Sequence, residues 1–258
     1  RIADAFGRFD GADLRYDLSI PQAVLRREAR GYVSPAQWDR GINAGFIGYS
    51  FNGVDSDNRT PGGQRSRSAY LGLNAGVNLA GWQFRHDANL PWNEGDGRHW
   101  QGIASYAQRG IAGVRGLLTI GQSYTNGELF DAIGYSGISL VSDDRMLPDS
   151  LRGYAPVVRG IAETNARVEI RQNQQLIHSA TVSPGSFVID DLYPTGYGGD
   201  LEVTVLEADG RRRVFKVPFG SVPQMLRAGI SRYAITAGKV RNEQLDEAPW
   251  LLQATYQR

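Results

Sequence analysis

The stretch DDRMLPDSLRGYAPVVRGIA, Asp143–Ala162, separates two kinds of sequence. Before it, Gly-rich segments alternate apolar and polar residues in runs of about ten residues, the length that a tilted strand needs to cross a bilayer. After it comes a compact block dense in hairpin signals, which reads as a small water-soluble β domain. A soluble module spliced into a series of membrane-type strands suggests a gated pore.

Working upstream, the clearest strand runs from Ala69 to Leu79. Ala69, Leu71, Leu73, Ala75, Val77 and Leu79 share one face, and Tyr70, Gly72, Asn74, Gly76 and Asn78 the other. From Ala80 to Leu90 the alternation repeats, with Trp82, Phe84, His86, Ala88 and Leu90 against Gln83, Arg85, Asp87 and Asn89, after a tight turn near Leu79–Gly81. Further strands are expected at Ile42–Asn52, Trp100–Arg109, Val114–Tyr124, Ile133–Ser142, Ile230–Gly238 and Trp250–Gln257. Polar loops are expected at Asn52–Ser68 and Asn93–Arg98. Near the start, Leu14–Ile20 alternates as one strand, and Pro21–Val33, with Arg26, Arg27 and Arg30, reads as a surface linker.

On alternation alone, a soluble sandwich or meander fits as well as a membrane barrel. Two details favour the barrel. The polar faces are Gly, Asn, Gln and Arg, unlike the Lys/Glu/Thr mix of a solvated sheet, and Trp82, Trp92, Trp100 and Trp250 fall near strand ends, where an interfacial aromatic girdle lies.

Downstream, Ala166–Arg171, Leu176–Val182, Phe187–Ile189, Leu201–Val205 and Arg213–Val217 read as short strands. Turns are expected at Asn173, Pro184-Gly185, Pro194–Gly199 and Asp209-Gly210. That density is enough for a small sandwich of about six strands.

Composition sets the outer bounds. The 258 residues carry 28 basic and 27 acidic side chains, so the net charge of +1 demands no nucleic acid. Mean hydropathy is −0.36, and no apolar run approaches the roughly 18 residues of a spanning helix. Gly reaches 32, with 12 Tyr, 9 Phe and 5 Trp, a bias of β proteins with crowded strands. Cysteine is absent, which removes disulfides and thiolate metal sites. A chain that starts at Arg1 without Met and stops at Arg258 inside a strand pattern is expected to be a fragment of a longer one.

No enzymatic constellation emerges. His86, His99 and His178 lack metal-ligand spacing. Asp143-Asp144 and Asp190-Asp191 are adjacent carboxylates, which in strands point to opposite faces and more often form turns. Gly121–Tyr124 lacks the closing Gly of a nucleophile elbow. Gly-Gly at 62–63 and 198–199 marks loops without the helix and Lys of a phosphate cradle.

Long strings of the sequence resemble the fimbrial outer-membrane usher family of the chaperone–usher pathway. They are LSIPQAVL (18–25), RGYVSPAQWDRGINAGFIGYSFNG (30–53), LTIGQSYTNGELFDAIGYSGISLVSDDRMLPDSLRGYAPVVRGIA (118–162), SPGSFVIDDLYPTGYGGDLEVTVLEADG (183–210) and VPFGSVPQMLRAGISRYAITAGKVR (217–241). The resemblance implies an all-β fold: part of a large transmembrane barrel of about two dozen strands, with a β-sandwich plug inserted between the sixth and seventh. It implies an end of an N-terminal periplasmic domain at 1–20, a linker at 21–37, six barrel strands at 38–150, the plug with its linkers at 151–222, and two more strands at 223–258. Its implied function is to receive periplasmic chaperone–pilus subunit complexes, assist subunit polymerisation and secrete the fibre through the plug-gated pore. The implied partners are those complexes, pilus subunits and outer-membrane lipid, with no cofactor, nucleic acid, small-molecule substrate or enzymatic step.

Residue roles follow from the same resemblance. A hairpin at Tyr124, Asn126, Gly127, Phe130 and Asp131 would fold into the lumen and support the plug; a plain turn is the alternative. Pro148, Arg152, Pro156, Pro218 and Pro223 fall in the plug linkers, where proline stiffens the crossing by fixing φ. Asp143, Asp144 and Arg145 are candidates for a plug–barrel charge network, or for solvated loop charge. Two rival classes stay open. An outer-membrane enzyme would need a catalytic set on the barrel rim. A soluble adhesive or carbohydrate-binding sandwich would pack the Leu71/Leu73/Val77 face as a core.

Overall fold

The protein was analysed as a computed structural model, which describes residues 6–12, 14–20, 28–57, 65–195, 198–220, 224–242 and 245–258. Its strands are β1 (Phe6–Asp10), β2 (Arg15–Ser19), β3 (Ala44–Asp57), β4 (Arg65–Leu79), β5 (Trp82–Asn93), β6 (Gly97–Arg98), β7 (Gln101–Ile111), β8 (Gly116–Tyr124), β9 (Gly134–Ser142), β10 (Val158–Ala162), β11 (Ala166–Gln172), β12 (Gln175–Val182), β13 (Gly185–Ile189), β14 (Leu201–Leu206), β15 (Arg212–Val217), β16 (Arg232–Val240) and β17 (Trp250–Gln257). Among the described residues only short 3-10 turns accompany them. Among the described residues no helix is long and apolar enough to cross a membrane, which says nothing of strands.

The chain divides into two compact units, one gathering 1–33 with 147–230 and the other 34–146 with 231–257. The second unit is a single antiparallel sheet in the order β17-β16-β9-β8-β7-β5-β4-β3, with β6 added on β5. Along this order strands consecutive in sequence pair, except that β5 pairs with β7 past the short β6 and β9 pairs with β16 across the residues that separate them. The sheet is therefore interrupted once, by a segment that folds elsewhere. Ala80 and Gly81, with φ of 51° and 78°, form the two-residue turn whose twist matches a hairpin.

The interrupting segment folds as a sandwich. A four-stranded sheet, β12-β11-β14-β15, faces the β10-β13 pair. Alternation points Val168, Ile170, Val203 and Val205 inward to meet Val158, Phe187 and Ile189, in a core that runs from Ala155 to Phe219. Asn173 and Gln174, both at positive φ, turn β11 into β12. The Glu207 carboxylate, nearly sealed from solvent, accepts the N–H groups of Glu163 (3.1 Å) and Thr164 (2.8 Å), the Thr164 hydroxyl (2.6 Å) and Arg213 (3.1 Å). Burial by itself would raise this carboxyl, yet those donors outweigh it and hold the group at about 2.

Two expectations need correction. The stretch Asn52–Ser68 is not one long loop, because β3 and β4 stay paired as far as Asp57 and Arg65. Arg65 grips Asp55 with two nitrogens, and Arg67 approaches the same carboxylate at 3.5 Å. Cross-strand ion pairs thus extend a ladder that polar composition disguises. Asn93–Arg98 is likewise a short hairpin, with β6 pairing back on Trp92 and Asn93. A strand at the start, β1, pairs with β2 ahead of the region read as extended.

Candidate functional site

In an antiparallel sheet directly opposed residues share a face, so each row across the strands tests the facing. One row runs Gly45, Val77, Phe84, Ala107, Ile120, Ile138, Ala237 and Leu252, apolar across all eight strands. The row one residue along starts at Ala44 on β3 and then runs Asn78, Gln83, Gln108, Thr119, Ser139, Thr236 and Gln253, polar on the seven strands from β4 to β17. The polar side chains bond one another. Gln108 donates to Gln83 at 2.7 Å, Arg85 to Asn78 at 2.8 Å, Asn74 to Asp87, and Tyr135 and Ser139 share a hydrogen bond of 2.7 Å. Among the described residues none covers the apolar face: Val77 is 50% exposed and Leu252 80%. Near its margins Lys239 lies over the Trp250 ring at 5.6 Å and Arg109 over Trp82 at 5.7 Å, a pairing of charge and indole suited to a lipid–water boundary. Such a sheet fits lipid on one side and water on the other.

A second constellation lies in the other unit, at the root of the sandwich. Arg227, 6% exposed, follows β15 and donates from all three guanidinium nitrogens to backbone carbonyls: Gly153 (2.8 Å), Asp190 (3.0 Å) and Leu192. Burial lowers its pKa, and the Asp191 and Asp190 charges oppose that. Arg30, far upstream, reaches the same turn. Its backbone N–H and Nε donate to the Asp191 carboxylate (3.2 and 2.9 Å), Nη2 to the Asp191 carbonyl, and Nη1 to His178 Nδ1 at 2.9 Å. A guanidinium only donates, so His178 accepts there through Nδ1. The Tyr193 ring lies 5.0 Å beneath the guanidinium. The Arg30 carbonyl in turn accepts the Ser150 hydroxyl at 2.7 Å. Next to it, Gly31 takes φ +78°, and a side chain there would press on the backbone of Asp149. Residues 30–31, 149–153, 190–193 and 227 therefore meet on one turn.

The outer membrane usher protein family matches residues 70–258, and the PapC N-terminal domain matches residues 1–53. The chain belongs to the outer membrane usher family. It is 44% identical to the outer membrane usher protein HtrE of Escherichia coli K12 over 255 residues, 99% of this chain and 29% of that protein. It is 43% identical to MrkC of Klebsiella pneumoniae, over 95% of this chain and 30% of the relative. Among solved structures, a chain of the E. coli P pilus tip assembly intermediate PapC-PapD-PapK-PapG matches with a TM-score of 0.58 and 32% identity, covering 98% of this chain and 32% of that one. This usher chain thus spans less than a third of the length of the relatives it matches. Its fold is all-β, part of a transmembrane β-barrel wall with a small sandwich inserted, and its location is the outer membrane.

The residues named from sequence fall as follows. Tyr124 ends β8, and the loop after it is closed by Thr125 and Ile133, whose N–H groups donate to the Ile133 carbonyl (3.0 Å) and the Thr125 hydroxyl (2.9 Å). Asn126, Gly127, Phe130 and Asp131 lie in this loop, and Phe130 is exposed. Tyr124 also lines a cavity of about 550 Å³ with Arg241, whose guanidinium lies over the Tyr124 ring at 5.6 Å. Asp143 binds Arg145 (2.7 Å), and Asp144 receives Arg232 of β16, so within the sheet unit these charges pair locally. Pro148 precedes the 3-10 turn Asp149–Leu151, Arg152 pairs with Asp149 at 2.8 Å, Pro156 is buried and Pro218 is exposed. Pro223 lies outside the described residues.

Sequence reasoning missed Arg30 and Arg227. The basic surroundings of Arg30 predict a surface linker, yet its side chain is held by a carboxylate 161 positions away. No local pattern marks such a pair.

Proposed function

We propose that the complete protein is an outer-membrane usher. It receives periplasmic chaperone–subunit complexes, assists polymerisation of pilus subunits and secretes the fibre through a barrel pore. In this reading the sheet β3–β17 is a stretch of pore wall, with its Asn/Gln/Thr row toward the aqueous lumen and its Val/Phe/Ile/Leu row toward lipid. Residues 1–20 end an N-terminal periplasmic domain, 21–37 link it onward, 38–150 and 223–258 supply six and two wall strands, and 151–222 hold the plug with its crossings. The hairpin Tyr124–Ile133 supports the plug, and Asp143, Asp144 and Arg145 flank the first crossing. No covalent step and no cofactor enters the proposal. Subunit folding and strand exchange supply the driving force.

The observation that carries it is the pair of adjacent rows, one apolar on all eight strands and one polar on the seven from β4 to β17, in a sheet that a self-contained sandwich interrupts. A soluble adhesive sandwich would instead bury the Leu71/Leu73/Val77 face, and the only packed apolar cluster among the described residues lies between Ala155 and Phe219. The test is single-channel conductance of the complete protein in planar bilayers, with and without residues 155–219. A large, stable conductance found only in the deletion supports the plugged pore. Low conductance in both forms overturns it.

A further inference from the structure

The two arginines at the sandwich root differ in kind. Arg227 is buried and its guanidinium donates to three main-chain carbonyls, acceptors that do not titrate. It is a fixed anchor for the end of the interruption. Arg30 is partly open to solvent, with 32% of its side chain accessible, and its partners are the side chains of Asp191 and His178, the Tyr193 ring and one carbonyl. Solvent-accessible charge-assisted bonds form and break readily, because water replaces them at small net cost. Arg30 also differs in origin. It belongs neither to the sandwich nor to the sheet, but to the segment between the β1–β2 hairpin and β3.

We infer that Arg30 is a releasable latch: it clips the segment that follows the N-terminal hairpin onto the Asp191/His178/Tyr193 turn of the sandwich, so that displacing this segment frees the sandwich root. The inference rests on the plug reading for its consequence, which is gating. A pull on the chain upstream of Arg30 breaks contacts at Asp191, His178, Tyr193 and Ser150 together, whereas Arg227 keeps the far crossing attached. The sandwich then swings on one anchor. This gives the N-terminal region a mechanical route to the gate that needs no contact with the barrel wall. It assigns Arg30 a positioning role, with a rank order of variants: Arg30→Ala loses every side-chain contact, while Arg30→Lys keeps the charge near Asp191 but loses the planar fork and the ring stacking.

The experiment uses the full-length protein and two readouts. Ser150 is fully buried and bonded to the Arg30 carbonyl, and this stretch has no cysteine, so Ser150→Cys reports latch opening by its rate of reaction with a water-soluble maleimide. Labelling is expected to be about tenfold faster in Arg30→Ala than in its parent, with Arg30→Lys between them. Channel open probability in bilayers is expected to rise in the same order, while the form lacking residues 155–219 stays open whatever stands at 30. Equal labelling in all three overturns the latch. Faster labelling with unchanged open probability, in a protein that the deletion does open, overturns its role in gating. A deletion that fails to open the pore counts against the plug reading, and labelling alone then decides whether the latch exists. Should Arg30→Ala fail to insert, Arg30→Lys against its parent decides both readouts.

Discussion

Ile170 in the sandwich and Ile138 in the large sheet both sit mid-strand in antiparallel ladders, yet the first is 0% exposed and the second 47%. The strands around them are built alike, from alternating apolar and polar residues. The difference is in what meets the apolar side. In the sandwich, the β10-β13 pair covers Ile170, and the charged alternates Arg167, Glu169 and Arg171 pair with one another on the outside. In the sheet, no described residue forms a second layer over the apolar row, and the alternates are mostly amides and hydroxyls, with Arg85 and Asp87 among them, that bond one another within and across the strands. One period-two code thus serves two solvents. The chemistry of the polar face, mainly charged or mainly amide and hydroxyl, tells which one is meant.

The widest gap is expected from removing each isoleucine in turn. Ile170→Ala should destabilise the sandwich by about 2–5 kcal/mol, because the surrounding core closes only partly over the void. Urea unfolding of residues 150–222 measures it. Ile138→Ala leaves no cavity, since lipid flows into the space, and heat-modifiability of the full-length protein should move far less. Comparable losses at the two sites would mean that the sheet hides a protein layer, and the division into wall and module would fail.

Placing a charge sharpens the same contrast within the sheet. Leu73→Arg puts a guanidinium on the apolar side, at a cost of about 2–4 kcal/mol near the bilayer midplane. Asn74→Arg puts it on the other side, opposite Asp87, where it gains a partner. Outer-membrane assembly should drop for the first variant and hold for the second. Equal assembly of both would undo the facing.

Most of this comparison was legible in the residues. β17 spans Trp250–Gln257 as its alternation states, and the tight turn at Ala80-Gly81 and the hairpin turn at Asp209-Gly210 fall where their residues put them. What escaped has a physical reason in each case. The outer ends of β3 and β4 are Asp, Ser and Arg, a loop composition held in strand by the Asp55–Arg65 pair. β10 reads VRGIA, too short to show a period, and is defined by its pairing with β13. The root of the sandwich escaped entirely, because Arg30 and Arg227 find their partners through the tertiary fold and not through spacing.

Acid separates the two regions by a different lever. Glu207 sits at about 2 in the folded sandwich, below its ordinary value of 4.5. A carboxyl lowered by folding stabilises the native state above its unfolded pKa, and that contribution fades as pH falls through the folded one. The isolated sandwich should therefore lose at most about 3 kcal/mol between roughly pH 4.5 and pH 2. Glu207→Gln should flatten this part of the profile. An unchanged slope in the variant would move the effect to other carboxylates.

The smallest expected effect concerns the shape of the wall. Gly121, Gly137 and Gly238 lie opposite one another on β8, β9 and β16, on the same side as the polar row. A Cβ on Gly137 would run into the Ala237 carbonyl and come within 2.6 Å of the Gly238 Cα, and a Cβ on Gly238 would come within 2.8 Å of the Gly137 Cα. The backbones of β9 and β16 therefore close in at this point to a degree that only glycine permits. This is also the joint where the sheet resumes after the sandwich, since β9 and β16 are the strands that flank the interruption. Gly137→Ala should force the two strands apart and cost about 1–3 kcal/mol, read as a lower heat-modifiability midpoint. Gly113→Ala, in a turn with open space around it, should leave that midpoint where it is. If the two variants behave alike, the glycine row is a tolerance of the sheet and not a requirement of it. The two strands would then keep their pairing at the joint with a side chain in place.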